Sequence, residues 1–296
     1  ILCYPDVFDK QPVRITSNGC QYDFTKEGQT STSTNYNPKS WYKLGTNPEG
    51  GSDTNIPEAD DYKYTFIGYY PYADYFDITY KSQYENGTYY GAPVLTFTMP
   101  QTGNSKETPL EHTNTPDAML GVLYDQTKDD GNVNFNFSHM LTALGFEVNN
   151  YSEDRDLTIH SVKLSGSFYK KIIVDFTDSS AKEIFPRDRY TGTYTLLDGD
   201  LQLKHPKEGE IVTSSGLLGG EHLLLISGEE NNYFGENVEV TIEYTFGDGQ
   251  RKTSSESRPG TFHPQPGVKY TAQLNFVGDT FILQFVVDNN EMWEDG

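Results

Sequence analysis

Apolar residues recur at every second position in short windows along most of this chain. That period of two constrains the fold more than any other feature. Residues 237–246, "NVEVTIEYTF", show it plainly: Val238, Val240, Ile242 and Tyr244 fall on one face, and Glu239, Thr241 and Glu243 on the other. A pleated strand turns successive side chains to opposite faces, so this window predicts a strand with one buried and one wetted side. "LTIHSVKLSG" (157–166), "KKIIVDF" (170–176), "RYTGTYTLL" (189–197), "LQLKH" (201–205) and "EHLLLISG" (221–228) predict further strands. "YKYTFIGYYPY" (62–72) is apolar on both faces and is ended by Pro71. "APVLTFTMP" (92–100) has the β-branched and aromatic content of a strand. "PDAMLGVLYDQ" (116–126) fits a strand or a helical turn. The closing "GVKYTAQLNFVGDTFILQFVVD" predicts two strands around a hairpin turn at Gly278 and Asp279.

Short strands at regular spacing with few helical windows predict an all-β chain built from β-sandwiches. At 296 residues the chain is long for one sandwich and comfortable for two. The polar, charged "NNYSEDRD" (149–156) is the expected boundary, dividing the chain into domains 1–150 and 151–296 in tandem.

With 14% aromatic residues the chain can bury a real core. A net charge of -21 argues against nucleic acid and anionic lipid as partners, since both need basic patches. No apolar run approaches the length of a membrane helix. The chain opens on "ILCYPDVFDK" without an initiator Met, so processing or truncation upstream is expected. Cys3 and Cys20 fit either one disulfide or two free thiols.

Signatures of chemistry are sparse. The sequence has no glycine-rich phosphate loop, no dinucleotide fingerprint, no G-x-S-x-G elbow and no H-E-x-x-H helix, so no cofactor and no catalytic residue are expected. "DQTKDDGNVNF" (125–135) is acidic, but Asp125, Asp129 and Asp130 miss the alternating spacing of a calcium loop, and no metal is expected. Asp198 and Asp200 in "LDGDLQ" predict a plain turn. The tyrosines between Tyr69 and Tyr90 are better read as packing than as a glycan platform.

"NVNFNFSHMLTALGFEVNN" (132–150) breaks the period. Val133, Phe135 and Phe137 hold one parity; Met140, Leu144, Phe146 and Val148 hold the other. A short helical turn or bulge, with Ser138 as its N-cap, would account for the switch. His139 is then a packed, hydrogen-bonding side chain rather than a base, because no nucleophile or acid partner is visible in sequence.

"FNFSHMLTALGFEV", "YTFIGYYPY", "PDAMLGVLYD" and the closing "PGVKYTAQLNFVGDTFILQFVVDNNEMW" together resemble the fimbrillin-like (Mfa-like, FimA-type) surface proteins of Bacteroidales, in order and spacing. His139 and Trp293 are the family-motif positions. The resemblance implies two transthyretin-like β-sandwich domains in tandem. It implies a non-enzymatic fimbrial (pilus) subunit, or an accessory or tip adhesin, at the cell surface. It further implies export to the outer membrane as a lipoprotein precursor, and assembly with other fimbrial subunits by strand exchange after an Arg-directed cut. Arg14 is the only arginine before Arg155, and so the candidate processing site. A host or bacterial surface protein or glycan is the further partner such a role admits. The alternative from another class is a secreted or surface glycan-binding β-sandwich module; a glycosidase is the third.

Overall fold

The computed structural model describes residues 2–5, 13–14, 64–71, 75–80, 84–85, 88–89, 93–100, 109–110, 115–126, 130, 133–152, 154–176, 183–207, 210–214, 217–228, 234–257 and 263–287. Its strands are β1 (Leu2–Pro5), β2 (Val13–Arg14), β3 (Tyr64–Tyr70), β4 (Phe76–Tyr80), β5 (Tyr84–Glu85), β6 (Thr88–Tyr89), β7 (Pro93–Thr98), β8 (Pro109–Leu110), β9 (Met119–Gln126) and β10 (Ser138–His139). They continue with β11 (Thr142–Asn150), β12 (Leu157–Asp175), β13 (Glu183–Leu203), β14 (Val212–Ser214), β15 (Leu223–Leu225), β16 (Gly235–Phe246), β17 (Lys252–Ser257), β18 (Lys269–Val277) and β19 (Thr280–Val287). The described residues include no α-helix, only a 3-10 turn at Leu217–Gly220. The chain is all-β, as its period of two predicts.

Two compact units divide it. The first comprises Ile1–Phe97, Ala118–Ser138 and Ile173–Phe185; the second comprises Thr98–Asp117, His139–Ile172 and Pro186–Gly296. The division is interleaved in sequence. The segment 149–156, expected to be a boundary, instead joins β11 to β12 within the second unit. Its asparagine side chains are satisfied internally. Asn150 is fully buried, its Nδ2 donating to the carbonyls of Arg155 (3.1 Å) and Lys204 (3.3 Å) while its Oδ1 accepts from Ser152 N–H (3.0 Å).

In the first unit, β3 lies between β1 and β9 in a sheet of order β10-β9-β3-β1-β2. Thr65, Phe66 and Ile67 of β3 are all buried, as expected of a strand apolar on both faces. The β4–β7 pair adds Phe76 and Phe97, whose rings meet at 5.3 Å, and Tyr69 of β3 packs on Phe76 at 5.2 Å.

The second unit is a sandwich. One sheet runs β14-β11-β18-β19, with β15 also pairing β11, and the other runs β17-β16-β12-β13-β8. Tyr244 and Phe246 of β16 meet Phe276 of β18 edge-on at 5.0 and 6.0 Å, and Phe276 meets Phe281 of β19 at 5.6 Å. These rings fill the space between the sheets. The predicted parity of β16 holds: Val240, Ile242 and Tyr244 are buried and Glu239 is exposed. The β18–β19 hairpin closes on Gly278 and Asp279, with Gly278 at φ 64, the first central position that type II′ turns reserve for glycine.

Two expectations need correcting. The windows 157–166 and 170–176 are one strand, β12, because the ladder shifts register at His160 and at Gly166 without ending. Likewise Asp198 and Asp200 are not in a turn; Gly199, at φ 135, carries β13 straight through.

Candidate functional site

The N-terminal edge of the first unit carries Arg14, the candidate processing site of the sequence. β1 pairs antiparallel with β3 in the register Leu2↔Ile67, Cys3↔Phe66, Tyr4↔Thr65, Pro5↔Tyr64. Among the described residues β2 pairs with β1 alone, Leu2↔Arg14 and Cys3↔Val13, and ends the sheet order. Arg14 therefore lies on the outermost described strand of that sheet. A cut after it severs both β1 and β2 from the chain and leaves residues 64–67 of β3 without their ladder partner on the β1 side. The Cys3–Cys20 pairing and Trp293 lie outside the described residues.

The opposite side of β3 carries a second built feature. Gly68 and Gly121 are direct partners across β3 and β9. A Cβ on Gly68 would stand 2.9 Å from Phe137 Cζ, and one on Gly121 would stand 3.1 Å from Phe135 Cδ1. The paired glycines open a slot in the sheet face, and Phe135 and Phe137, stacked at 5.5 Å, fill it. Residues 133–137 keep the predicted alternation without being a ladder strand. Two glycines at matching positions of neighbouring strands were a readable signal for this seat, but only once the register is known.

The parity switch follows immediately. Its cause is not a helical turn capped by Ser138. The chain bends at Leu141 and passes from β10, beside β9, into β11, in the middle of another sheet. Met140, Leu141, Thr142, Ala143 and Leu144 are all buried, so both faces of this crossing meet protein. The turn at 265–268 clamps the bend: Gly267 N–H donates to Leu141 O (2.8 Å), and Thr142 Oγ1 donates to Gln265 O (2.9 Å). Gly267, at φ 74, suits that turn.

His139 sits at the crossing with its side chain 7% exposed. Its Nδ1 lies 2.9 Å from Oδ1 and 2.8 Å from Oδ2 of Asp117, so the ring N–H donates to a carboxylate that sequence reading did not find. The pair joins the segment entering β9 to the segment entering β11. His139→Ala is expected to lower stability by about 1–3 kcal/mol, because Asp117 loses its donor in a partly buried place. Urea denaturation measures it; unchanged stability would make the pair ornamental.

A second histidine has an Asp–His–Thr order. His160 Nδ1–H donates to Asp200 Oδ1 (2.6 Å), which leaves Nε2 to accept from Thr245 Oγ1 (2.8 Å). The register shift at His160 aims the ring between β13 and β16. That order can activate a hydroxyl. Acyl transfer also needs preorganised donors for the oxyanion, and Thr245 sits in mid-strand, where β16 is laddered to β12. The three residues act as a clamp across three strands.

Fixed charge gathers at the turn end of the second unit. Arg155 Nη1 reaches Asp279 at 2.7 Å and its guanidinium lies 4.6 Å from the Phe246 ring centroid. The Arg155 hydrogen bond, helped by the Lys252 charge, holds the Asp279 carboxyl below the usual range. Lys204 and His205 do the same for Asp156. Deeper in, burial pushes the Tyr190 phenol up to about 12 beside its hydrogen-bonded neighbour Tyr194. No group of three or more His, Cys, Asp or Glu among the described residues is placed to hold a metal ion.

Comparison with known proteins adds a family. The model of the fimbrillin-like family matches residues 21–287. No curated protein sequence matches the chain. Among solved structures, a fimbrial protein from Bacteroides vulgatus is similar at a TM-score of 0.49 and 18% identity, over 77% of this chain and 78% of that one. A candidate cell adhesion protein from Bacteroides uniformis is similar at 0.39 and 14%, over 78% and 73%. The tip fimbrial protein Mfa3 from Porphyromonas gingivalis is similar at 0.28 and 11%, over 70% and 86%.

Proposed function

We propose, from the premise that this chain belongs to the fimbrillin-like family, that it is a non-enzymatic component of a bacterial surface fimbrium that joins other subunits by strand exchange. A fimbrial or adhesive role at the cell surface, in association with other subunits, comes with the family. The exchange itself, a place in the stalk or at the tip, and a lipid-anchored precursor belong to the proposal. So does the transthyretin-like kinship of its sandwiches.

One observation carries the exchange. β1, which covers the β3 edge, and β2, which pairs with β1, both lie before the cut at Arg14. Removing them would uncover the backbone of residues 64–67 next to Phe66 and Ile67, which are core residues. A core strand laddered on one side only is an unstable edge that a strand from another chain can satisfy, with backbone bonds supplying affinity and side-chain pockets supplying register. The candidate strand to give is β19, whose Phe281 and Leu283 are apolar and buried. Within the monomer it pairs with β18 along its whole length, Tyr270↔Val287 to Val277↔Thr280, so donation requires that hairpin to open.

The test is digestion with an Arg-specific protease followed by sizing and electron microscopy. Trimming after Arg14 should convert a monomer into larger species, and an Arg14→Lys variant should not convert. A trimmed protein that stays monomeric with unchanged stability would sink strand exchange by this route.

A further inference from the structure

β17 ends one sheet of the second unit, in the order β17-β16-β12-β13-β8. It reads Lys252, Thr253, Ser254, Ser255, Glu256, Ser257. Its ladder to β16 keeps one register from Tyr244↔Lys252 to Glu239↔Ser257 without a bulge, and the strand contains no proline or glycine. In an antiparallel ladder every second residue turns its N–H and C=O away from the partner strand. Among the described residues no strand takes up the outer side of β17. Its side chains are mostly short: Thr253, Ser255 and Ser257 are exposed on one face, and Ser254 lies half-buried on the other. A regular edge of this kind is a template for another strand.

The two charges of the strand stand symmetrically about Ser254. Lys252 precedes it by one alternation step and Glu256 follows it by one, so all three share a face. Lys252 is exposed, and its Nζ stands 3.6 Å from Asp279 in a loose pair with both side chains in water. Glu256 is half-buried and has no ion-pair partner among the described residues. Two copies that close about a two-fold axis at this edge meet with their strands antiparallel. Facing residues then point to the same side, so even-numbered residues face even-numbered ones. An axis at Thr253 sets Lys252 against Ser254, and an axis at Ser255 sets Glu256 against Ser254. An axis at Ser254 sets Lys252 of each copy against Glu256 of the other, and Thr253 against Ser255.

We propose that β17 pairs antiparallel with β17 of a second copy of this chain, about a two-fold axis at Ser254, so that the two sheets run on as one. Backbone bonds along the edge supply the affinity, and two cross-strand pairs of Lys252 with Glu256 supply the register. A foreign strand carrying one sign of charge would satisfy one of these residues and oppose the other. An edge of six residues buries less than the roughly 800 Å² per partner of a stable interface, so the dimer is concentration-dependent. The net charge of -21 on each copy opposes the approach, but physiological salt screens exposed charges beyond about 8 Å, while the facing pairs are in contact. Where copies are held close together, many such weak contacts add by avidity. The contact needs no cut at Arg14 and uses only residues of the second unit, so it stands independently of strand exchange at β3.

The test is sedimentation of the uncut full chain over a concentration series at physiological salt. A monomer–dimer equilibrium is expected. Lys252→Glu alone and Glu256→Lys alone each set like charges face to face at both sites, and should weaken the dimer about tenfold with unchanged melting. An equimolar mixture of the two variants restores both opposite-charge pairs and should dimerise as wild type does. Hydrogen exchange in concentrated wild type should slow at residues 252–257. Absence of association overturns the proposal. So do single variants that dimerise as wild type does, and so does a mixture no tighter than either variant. Protection that falls on β19 in place of β17 overturns it as well, since the contact would then belong to the other sheet.

Discussion

Gly235→Ala should leave the second unit unable to fold stably, at a cost above about 4 kcal/mol, the range reserved for the most disruptive single changes. Gly235 opens β16 opposite Phe168, at φ 156. A Cβ there would stand 1.8 Å from Ser167 O, 2.6 Å from Ser167 C and 2.7 Å from Phe168 Cα, all backbone atoms that cannot rotate away. The neighbouring ladder is tight, with Tyr169 N–H donating to Phe234 O at 2.9 Å, and Phe168 is buried against Tyr194. The strand would have to part. Gly199→Ala is the matched control: its φ is 135 and nothing lies within 4 Å of the new methyl. It should cost only the backbone strain, about 1–3 kcal/mol. Denaturant melts of the two variants separate clash from conformation, and equal losses would refute the clash.

Phe276→Ala should cost about 3–5 kcal/mol. Phe276 is fully buried and is the ring on which Tyr244, Phe246 and Phe281 converge from two sheets. Truncation removes the middle of that cluster, and the β-ladders on either side cannot collapse into the space. Tyr244→Phe is the gentler probe. It keeps the packing and loses only the hydroxyl's bonds, to Asp279 O (2.8 Å) and the longer one with Ser254 Oγ (3.3 Å), together worth about 1–2 kcal/mol. If Phe276→Ala costs no more than Tyr244→Phe, the two sheets are not held together by this cluster.

What sequence could show here follows from what alternation encodes. It fixed the inward face of β16 and the hairpin at Gly278, because one residue per pleat decides both. It could not show that β12 and β13 run on through His160, Gly166 and Gly199, since a bulge changes side-chain parity while the backbone continues. It misplaced the domain boundary because composition does not distinguish polar groups solvated by water from polar groups satisfied by protein. Asn149, Asn150 and Ser152 look like linker and are buried. Asp117 was invisible as the partner of His139 for a related reason: 22 residues separate them, and only the placing of β10 beside β9 brings them together.

The parallel pairing of β11 with β18 bears on how such a protein is made. Every other pairing in that sheet is antiparallel, and this one spans 126 residues between Asn149 and Asn275. A parallel ladder cannot be closed by a hairpin, and contacts of such long range are slow to form because the chain entropy is lost before the bonds are gained. β11 emerges during synthesis with neither its central partner nor the β18–β19 hairpin yet available. Its buried run from Met140 to Leu144 must then wait in the open, a target for chaperones or for premature pairing. Folding of this unit is timed by its last strands.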